Sequence, residues 1–304
     1  ATGGTFTRAS IGTYYDSTGT LQTATTNTPR FDYDPITHAA KGILIEEERT
    51  NRLTNSTGSG YSHWSISVTP NVITTSVGNF HRYTSVTTSQ SRIEIGPVVP
   101  ASKTYTASWY VKKDTSSRYA YIGIYDITNS WAYLDLDTGA VGTGGGGAIT
   151  NPQAVNIGSG IYRFSATCTR GGTPSLTSFK FGIAESFITN LNSSTLVGTS
   201  ILAGNFQIEE GSFATSYIPT TTTAVTRAAD GFSIPTGAWF NSSNGSQLMG
   251  ADVTNSGPSA VQAGWALHAT GNNGYLFYKQ ASSANLYSFA GTAQVNIGSV
   301  TSNN

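Results

Sequence analysis

Four groups of neighbouring carboxylates are the first candidates for chemistry: Asp32 with Asp34, the run Glu46-Glu47-Glu48, Asp135 with Asp137, and Glu209 with Glu210. Glycosidic cleavage needs two carboxyl groups about 5–10 Å apart across a cleft, one of them desolvated. Neighbours on one strand or turn rarely supply that geometry, and adjacent like charges stay in solvent or pair with cations. The four groups therefore read as structural. Asp135-x-Asp137-x-Gly139 places two oxygen ligands near a turn, but the twelve-residue calcium loop is missing, which favours a plain turn. His38, His63, His81 and His268 show no HxxxH or HExxH spacing, so zinc is not expected. There is no GxSxG motif, and the lone Cys168 lies in a strand-like run, SATCT, as a buried, inert thiol. Gly142–Gly147 lacks the Lys-Ser/Thr and the helix that phosphate binding needs. No catalytic residue, metal ligand or cofactor is expected.

Sugar binding uses a different residue set. Aromatic rings stack on the C–H faces of sugars, while Asn, Asp and Arg read the hydroxyls. Candidates are Tyr61, Trp64, Trp109, Tyr125 and Trp131. Trp109 and Tyr121 sit within alternating strands and read as core. The loop-borne Trp131, next to Asp126-Ile127-Thr128-Asn129, is the best exception. Tyr125, Asp126, Asn129 and Trp131 are therefore the expected carbohydrate contacts.

These residues must be positioned by strands. Tyr105–Lys112, Tyr119–Tyr125, Trp131–Leu136, Gly160–Thr167, Ser178–Ile183 and Ser200–Ile208 are short runs rich in aromatic and β-branched residues, bounded by turn formers. Their spacing predicts an all-β sandwich or jelly roll. Asp137-Thr138-Gly139 reads as a tight turn, and Gly142–Gly147 as a mobile loop. One short helix is expected around Ile43–Leu53, where the acidic run precedes Arg49 and Arg52. After Asp230 a second β pattern starts: Phe232–Ile234, Trp239–Phe240, Gln247–Val253, Gly264–Ala269, Tyr275–Tyr278 and Asn285–Phe289.

Composition narrows the function classes. Sixteen basic and sixteen acidic residues cancel, so no net field draws the 304-residue chain to nucleic acid or an anionic membrane. Only 11% of residues are charged, and Ser, Thr, Asn and Gly fill the surface, which suits an extracellular or virion coat. One cysteine excludes a disulfide scaffold. No run of about 18 apolar residues occurs, so no membrane-spanning helix is expected. The sequence starts without Met and without a signal-peptide pattern, so processing, or a longer parent chain, is expected.

Several blocks carry a resemblance. Phe6–Ser10 (FTRAS), Pro29–Pro35 (PRFDYDP), Gly42–Asn51 (GILIEEERTN) and Gln207–Asp230 (QIEEGSFATSYIPTTTTAVTRAAD) are similar to bacteriophage head-spike and tail-fibre modules. The resemblance implies an attachment and packing segment over 1–54, a carbohydrate-binding jelly roll over 55–220, a linker over 221–229, and an incomplete laminin-G or concanavalin-like β region over 230–304. It implies a virion fibre that adheres to host-surface glycan, forms a homotrimer, and contacts capsid or tail proteins through its N-terminal segment. The alternative is an accessory carbohydrate-binding module of a polysaccharide depolymerase or lyase, since fold-level likeness names an architecture before a task. Within Pro29–Pro35, alternation predicts Arg30, Asp32 and Asp34 on one side and Phe31 and Tyr33 packed down on the other, with the charges paired to Arg8, Arg49 or Arg52. In Ile208–Ile218, apolar residues bracket an expected Glu209-Glu210-Gly211 turn, and a second strand ends at Pro219.

Overall fold

In the computed structural model the chain divides into two compact units, Ala1–Pro235 and Thr236–Asn304. The structure describes residues 3–58, 61–88, 91–96, 100, 102–125, 129–169, 178–184 and 197–234, and the backbone of 262–268, 274–280, 283–290 and 293–300. Among these residues there is no helix. The first unit contains β1 (Thr5–Thr7), β2 (Gly12–Tyr15), β3 (Leu21–Ala24), β4 (Phe31–Tyr33), β5 (Ala40–Ile43), β6 (Arg49–Asn51), β7 (Ser62–Trp64), β8 (Ile66–Thr75), β9 (Gly78–Ser85) and β10 (Ser91–Ile95). It continues with β11 (Thr104–Lys113), β12 (Tyr119–Tyr125), β13 (Asn129–Asp135), β14 (Val141–Gly145), β15 (Ile149–Gly158), β16 (Ile161–Thr169), β17 (Ser178–Ala184), β18 (Ser200–Glu210), β19 (Val225–Arg227) and β20 (Gly231–Ser233).

Two six-stranded sheets face each other, as the alternating runs require. One has the order β14-β13-β12-β17-β10-β7 and the other β15-β16-β11-β18-β9-β8, all neighbours antiparallel. This is the all-β sandwich expected. Side chains alternate across each strand, so Ile93, Ile95, Ala120, Ile122, Ile124, Ala132, Leu134, Phe179, Phe181 and Ile183 point inward from the first sheet. Trp109 is the centre of the core, with its ring 5.3 Å from both Phe181 and Phe206, which are themselves 5.0 Å apart edge to face. Such pairs add roughly 0.5–1.5 kcal/mol each beyond area burial. Cys168 is buried in β16, in the same core.

The outer face of the second sheet is covered by the chain itself. Tyr15 and Leu21 of the N-terminal segment, with Tyr217, pack over Phe80, Tyr110, Ile161 and Leu202. The N-terminal segment is also held by buried charges. Arg8 donates to Asp230 Oδ1 (3.1 Å), and Arg30 donates to Glu46 Oε2 (2.7 Å) and to Asp230 Oδ2. Arg227 reaches the same Glu46 oxygen at 2.9 Å, and Ser216 N–H donates to Glu46 Oε1 (2.7 Å). The side chains of Arg8, Arg30, Arg227 and Asp230 are fully buried. Burial of charge is tolerated because each ion has an opposite partner and further hydrogen bonds. Asn51 completes the seam: its Nδ2 donates to Phe206 O (3.2 Å) and Ile218 O (2.8 Å), and its Oδ1 accepts from Ile208 N–H (3.2 Å) and Leu53 N–H (3.2 Å). Strands β6 and β19 pair, as do β1 and β20, so residues 225–233 close back onto the N-terminal segment.

Several expectations fail here. Ile43–Leu53 is no helix: β5 ends at Ile43 and β6 spans Arg49–Asn51, because Glu46 and Asn51 must reach opposite partners across the seam. The Arg30 strip is inverted. Arg30 is buried and Phe31 is 55% exposed, since the buried acids Glu46 and Asp230 take the guanidinium inward. Asp32 accepts from Tyr15 N–H (2.8 Å) and Asp34 faces Lys41 at 3.6 Å, so neither pairs with Arg8, Arg49 or Arg52. Glu209 lies in β18 rather than in a turn, and no strand forms over 211–219. Gly142–Gly147 is not a loop throughout, since β14 takes up Val141–Gly145.

The second unit contains β21 (Gln262–His268), β22 (Gly274–Gln280), β23 (Ser283–Ala290) and β24 (Ala293–Val300) in one antiparallel meander. Three of these overlap expected runs; Trp239–Phe240 and Gln247–Val253 lie outside the described residues.

Candidate functional site

The outer face of the first sheet carries polar and aromatic groups, of which Tyr121, Trp131 and Lys180 are buried and Trp64 is exposed. Register places them in two rows that cross all six strands. The first reads Trp64, Arg92, Gly182, Tyr121, Tyr133, Gly142; the second reads Ser62, Glu94, Lys180, Gly123, Trp131, Gly144. Neighbouring strands are about 4.8 Å apart, so each row runs about 24 Å.

Glycines let the rings lie down on the sheet. A Cβ on Gly144 would come within 2.7 Å of the Trp131 indole, and one on Gly142 or Gly182 would collide with the Tyr133 or Tyr121 ring. Any larger residue at these cross-strand positions would push the ring off. Tyr119 meets Tyr133 edge to face at 6.2 Å, and Tyr119, Tyr121, Trp131 and Ala184 form a small buried cluster. The Arg118 guanidinium stacks 5.1 Å over Tyr119 and donates to Asp135 Oδ2 (2.9 Å). Asp135 Oδ1 accepts from the amides of Asp137 (2.9 Å) and Thr138 (3.3 Å), and Gly139, at φ 78°, closes the turn with an N–H bond to Asp135 O. The expected turn is therefore formed, with the Asp135 oxygens taken up by protein donors.

At the other end of the face Trp64 is 53% exposed. The Arg92 guanidinium lies 5.0 Å over its ring, a cation–π contact that fixes the indole. Arg92 Nε donates to Glu94 Oε2 (3.1 Å) and Ser178 Oγ donates to Glu94 Oε1 (2.7 Å). Burial alone would raise the Glu94 carboxyl, but the Ser178 bond and Arg92 hold it below its ordinary value. Lys180, paired in register with Glu94, is 6% exposed. Burial lowers its ammonium, Arg92 lowers it further, and Glu94 opposes both. This end of the face thus carries one exposed aromatic ring beside polar groups that are held in place by their own hydrogen bonds.

No family model matches the chain, and no curated protein is similar to it. Two solved structures are among those that match its backbone. One holds the CBM22-1 and GH10 modules of endo-1,4-β-D-xylanase 10B from Clostridium thermocellum, complexed with xylohexaose: 12% identity and a TM-score of 0.33, over 57% of this chain and 30% of that one. The other is the CBM22-1 xylan-binding domain of Xyn10C from Paenibacillus barcinonensis: 15% identity and a TM-score of 0.32, over 54% of this chain and 94% of that one. Both contain carbohydrate-binding modules; what this chain binds is read from its own residues.

The residues expected to contact sugar fare differently. Trp131 is in β13, not a loop, and is 3% exposed, with its indole against Gly144. Tyr125 and Asn129 are backbone register partners in β12 and β13, and Asp126 lies outside the described residues. Trp109 is core, as expected, whereas Tyr121 is buried on the outer face rather than between the sheets. Tyr61 is half-buried, its hydroxyl accepting from Asn55 N–H (2.9 Å). The charged residues were missed, although their signal was present: in SRIEI and SFKFGI, alternation puts Arg92 and Glu94, or Ser178, Lys180 and Gly182, on one face.

The remaining carboxylate groups are structural in two ways. Glu46 and Glu209 are withdrawn from solvent, against the expectation that like-charged neighbours are exposed, while Glu47, Glu48 and Glu210 are the solvent-facing members. Burial raises the Glu209 carboxyl, although its oxygens accept from Thr215 N–H (2.8 Å), Thr215 Oγ1 (2.7 Å) and Gln207 Nε2 (2.7 Å). Alternation in β18 decides which of the pair turns inward.

Proposed function

We propose that the chain is a non-catalytic display module that adheres to glycan through the outer face of its first sheet. The observation that carries this reading is the end of the face at Trp64, where an exposed indole is fixed by Arg92 beside the Glu94, Ser178 and Lys180 polar groups. A platform with fixed hydrogen-bonding neighbours matches the amphipathic character of a sugar, apolar on its C–H face and polar at its rim. The setting we infer is a phage virion, as a head or tail fibre; this rests on the FTRAS, PRFDYDP, GILIEEERTN and QIEEGSFATSYIPTTTTAVTRAAD blocks, as do the homotrimer and the capsid or tail partners. An accessory module of a polysaccharide-degrading enzyme would use the same face, and labelled antibody on intact particles separates the two settings.

The test is a glycan array probed with the full chain and with Trp64→Ala. Binding to a defined set of glycans, lost in Trp64→Ala with the melting temperature unchanged, is the expected result. Retention of binding in that variant, or no binding by the parent chain, would remove the proposal.

A further inference from the structure

We infer that Glu94 reads a hydroxyl of the bound sugar and turns away sugars that carry a carboxylate, so that the ligand is a neutral glycan; this rests on the glycan-binding reading of the face. Trp64 pairs with Arg92 in register, and Glu94 stands two residues further along β10 on the same side of the sheet. Such diagonal neighbours lie about 7–8 Å apart, within reach of one ligand held against the indole.

Exposure decides which charge that ligand meets. Arg92, Glu94 and Lys180 surround the exposed ring. Lys180 is buried. The Arg92 side chain is 13% exposed and is engaged with both Glu94 and the Trp64 ring, whereas the Glu94 side chain is 25% exposed. The carboxylate is therefore the charge most open to solvent. Burial would raise it, but the Ser178 bond and Arg92 hold it below its ordinary value, so it is an anion at neutral pH.

Glu94 also has bonding capacity left. An ionised carboxylate offers about four acceptor positions. Oε1 accepts from Ser178 Oγ (2.7 Å), and Oε2 faces Nε and Nη2 of Arg92, both at 3.1 Å. Among the described residues this leaves a position on Oε1. A sugar hydroxyl donates there in a charge-assisted bond. A uronate or sialate carboxylate has no proton to donate at neutral pH, and it sets a second negative charge beside the first, which is unfavourable in a partly desolvated contact.

The alternative role for Glu94 is bracing, in which it holds Arg92 over the indole and touches no ligand. Glu94→Gln separates the two, because the amide keeps the shape and an oxygen for Arg92 but removes the negative charge. The full chain, Glu94→Gln and Trp64→Ala are titrated calorimetrically with the neutral oligosaccharide that binds tightest on the array and with its counterpart carrying one uronic acid. The titrations are run at about 0.15 M salt, where fields beyond roughly 8 Å are screened. The parent is expected to bind the neutral sugar about 10-fold tighter or more, and Glu94→Gln to reduce that preference to about 3-fold or less. A variant that is partly unfolded is still read by this ratio, since the lost folded fraction is common to both ligands. A preference retained in Glu94→Gln, with both affinities weakened alike or unchanged, would overturn the reading role. A parent chain that prefers the acidic sugar, or binds only acidic glycans on the array, would overturn it too and leave the glycan reading standing. If Trp64→Ala binds as the parent does, or nothing binds, the glycan reading falls first and this inference with it.

Discussion

Asp230→Ala strikes the point where three distant segments meet. The Asp230 carboxylate accepts from Arg8 Nη1 (3.1 Å), Glu46 N–H (2.9 Å) and Arg30 Nη2, and it is fully buried. Removing it leaves two buried guanidiniums without their shared anion. Arg30 retains Glu46 at 2.7 Å and Thr13 O at 3.0 Å. Arg8 retains no anion, keeping the carbonyls of Ser10 (2.9 Å), Thr25 (2.9 Å), Ala24 (3.3 Å) and Thr28 (3.3 Å) and the Phe6 ring at 5.4 Å. Breaking one side of such a buried pair costs about 3–5 kcal/mol. For a unit of this size each kcal/mol lowers the melting temperature by about 2–4 °C, so the expected drop is roughly 6–20 °C. Differential scanning calorimetry of the full chain reads the drop, and limited proteolysis followed by mass spectrometry reads release of residues 1–51. The double variant Arg8→Ala with Asp230→Ala is expected to cost less than the sum of the two singles, because each single leaves the other charge stranded. A shift under about 2 °C with an unchanged cleavage pattern would refute the view that this ion cluster holds the segment in place, since one buried partner alone is worth more than that.

Further outcomes follow from individual contacts. Burial would raise the Glu46 carboxyl, but Arg227 and Arg30 outweigh it and hold the group at about 2 against an ordinary 4.5. A depressed folded value means that Glu46 stabilises fully above about pH 4.5 and loses that contribution as pH falls toward 2, while the raised Glu209 opposes it as pH rises. Melting temperature measured from pH 6 to pH 3 is expected to fall for the parent chain and to fall less steeply for Glu46→Gln; equal slopes would contradict the assignment. Gly144→Ala is expected to cost about 1–3 kcal/mol, as overpacking does, and to alter tryptophan emission by lifting the Trp131 ring. A Gly144→Ala chain with parent stability and emission would show that the ring does not lie on that glycine. Trp64→Ala, by contrast, removes a side chain 53% exposed at the edge of the sheet, and thermal melting is expected to show a change within about 0.5 kcal/mol.

The sandwich was legible where period-2 alternation is strong. Tyr119–Tyr125 matches β12 residue for residue, and Tyr105–Lys112 and Ser178–Ile183 fall within β11 and β17. Alternation also put Trp109 in the core. The misses share a cause: partners far away in sequence. The GTGG start of Gly142–Gly147 has no strand propensity of its own, yet forms β14 because Trp131 and Tyr133 need glycines beneath their rings. The acidic run at Glu46 reads locally as a helix with i,i+3 and i,i+4 pairs; its real partners are Arg30 and Arg227, 16 and 181 residues away. Trp131 stood out by its loop-forming neighbours, and no local signal reveals that its ring is laid flat. Arg92, Glu94 and Lys180 were readable in principle from alternation, but which of their two faces meets the core is decided by the opposite sheet, far away in sequence.

Chemical-shift mapping on isotope-labelled full chain, titrated with an oligosaccharide selected from the array, tests the adhesion face most directly. Amide shifts confined to residues 62–64, 92–94, 121–123 and 178–182 are the expected result. Shifts on the strands of the second sheet or on the N-terminal segment, with the first sheet unmoved, would contradict the assignment of the binding face.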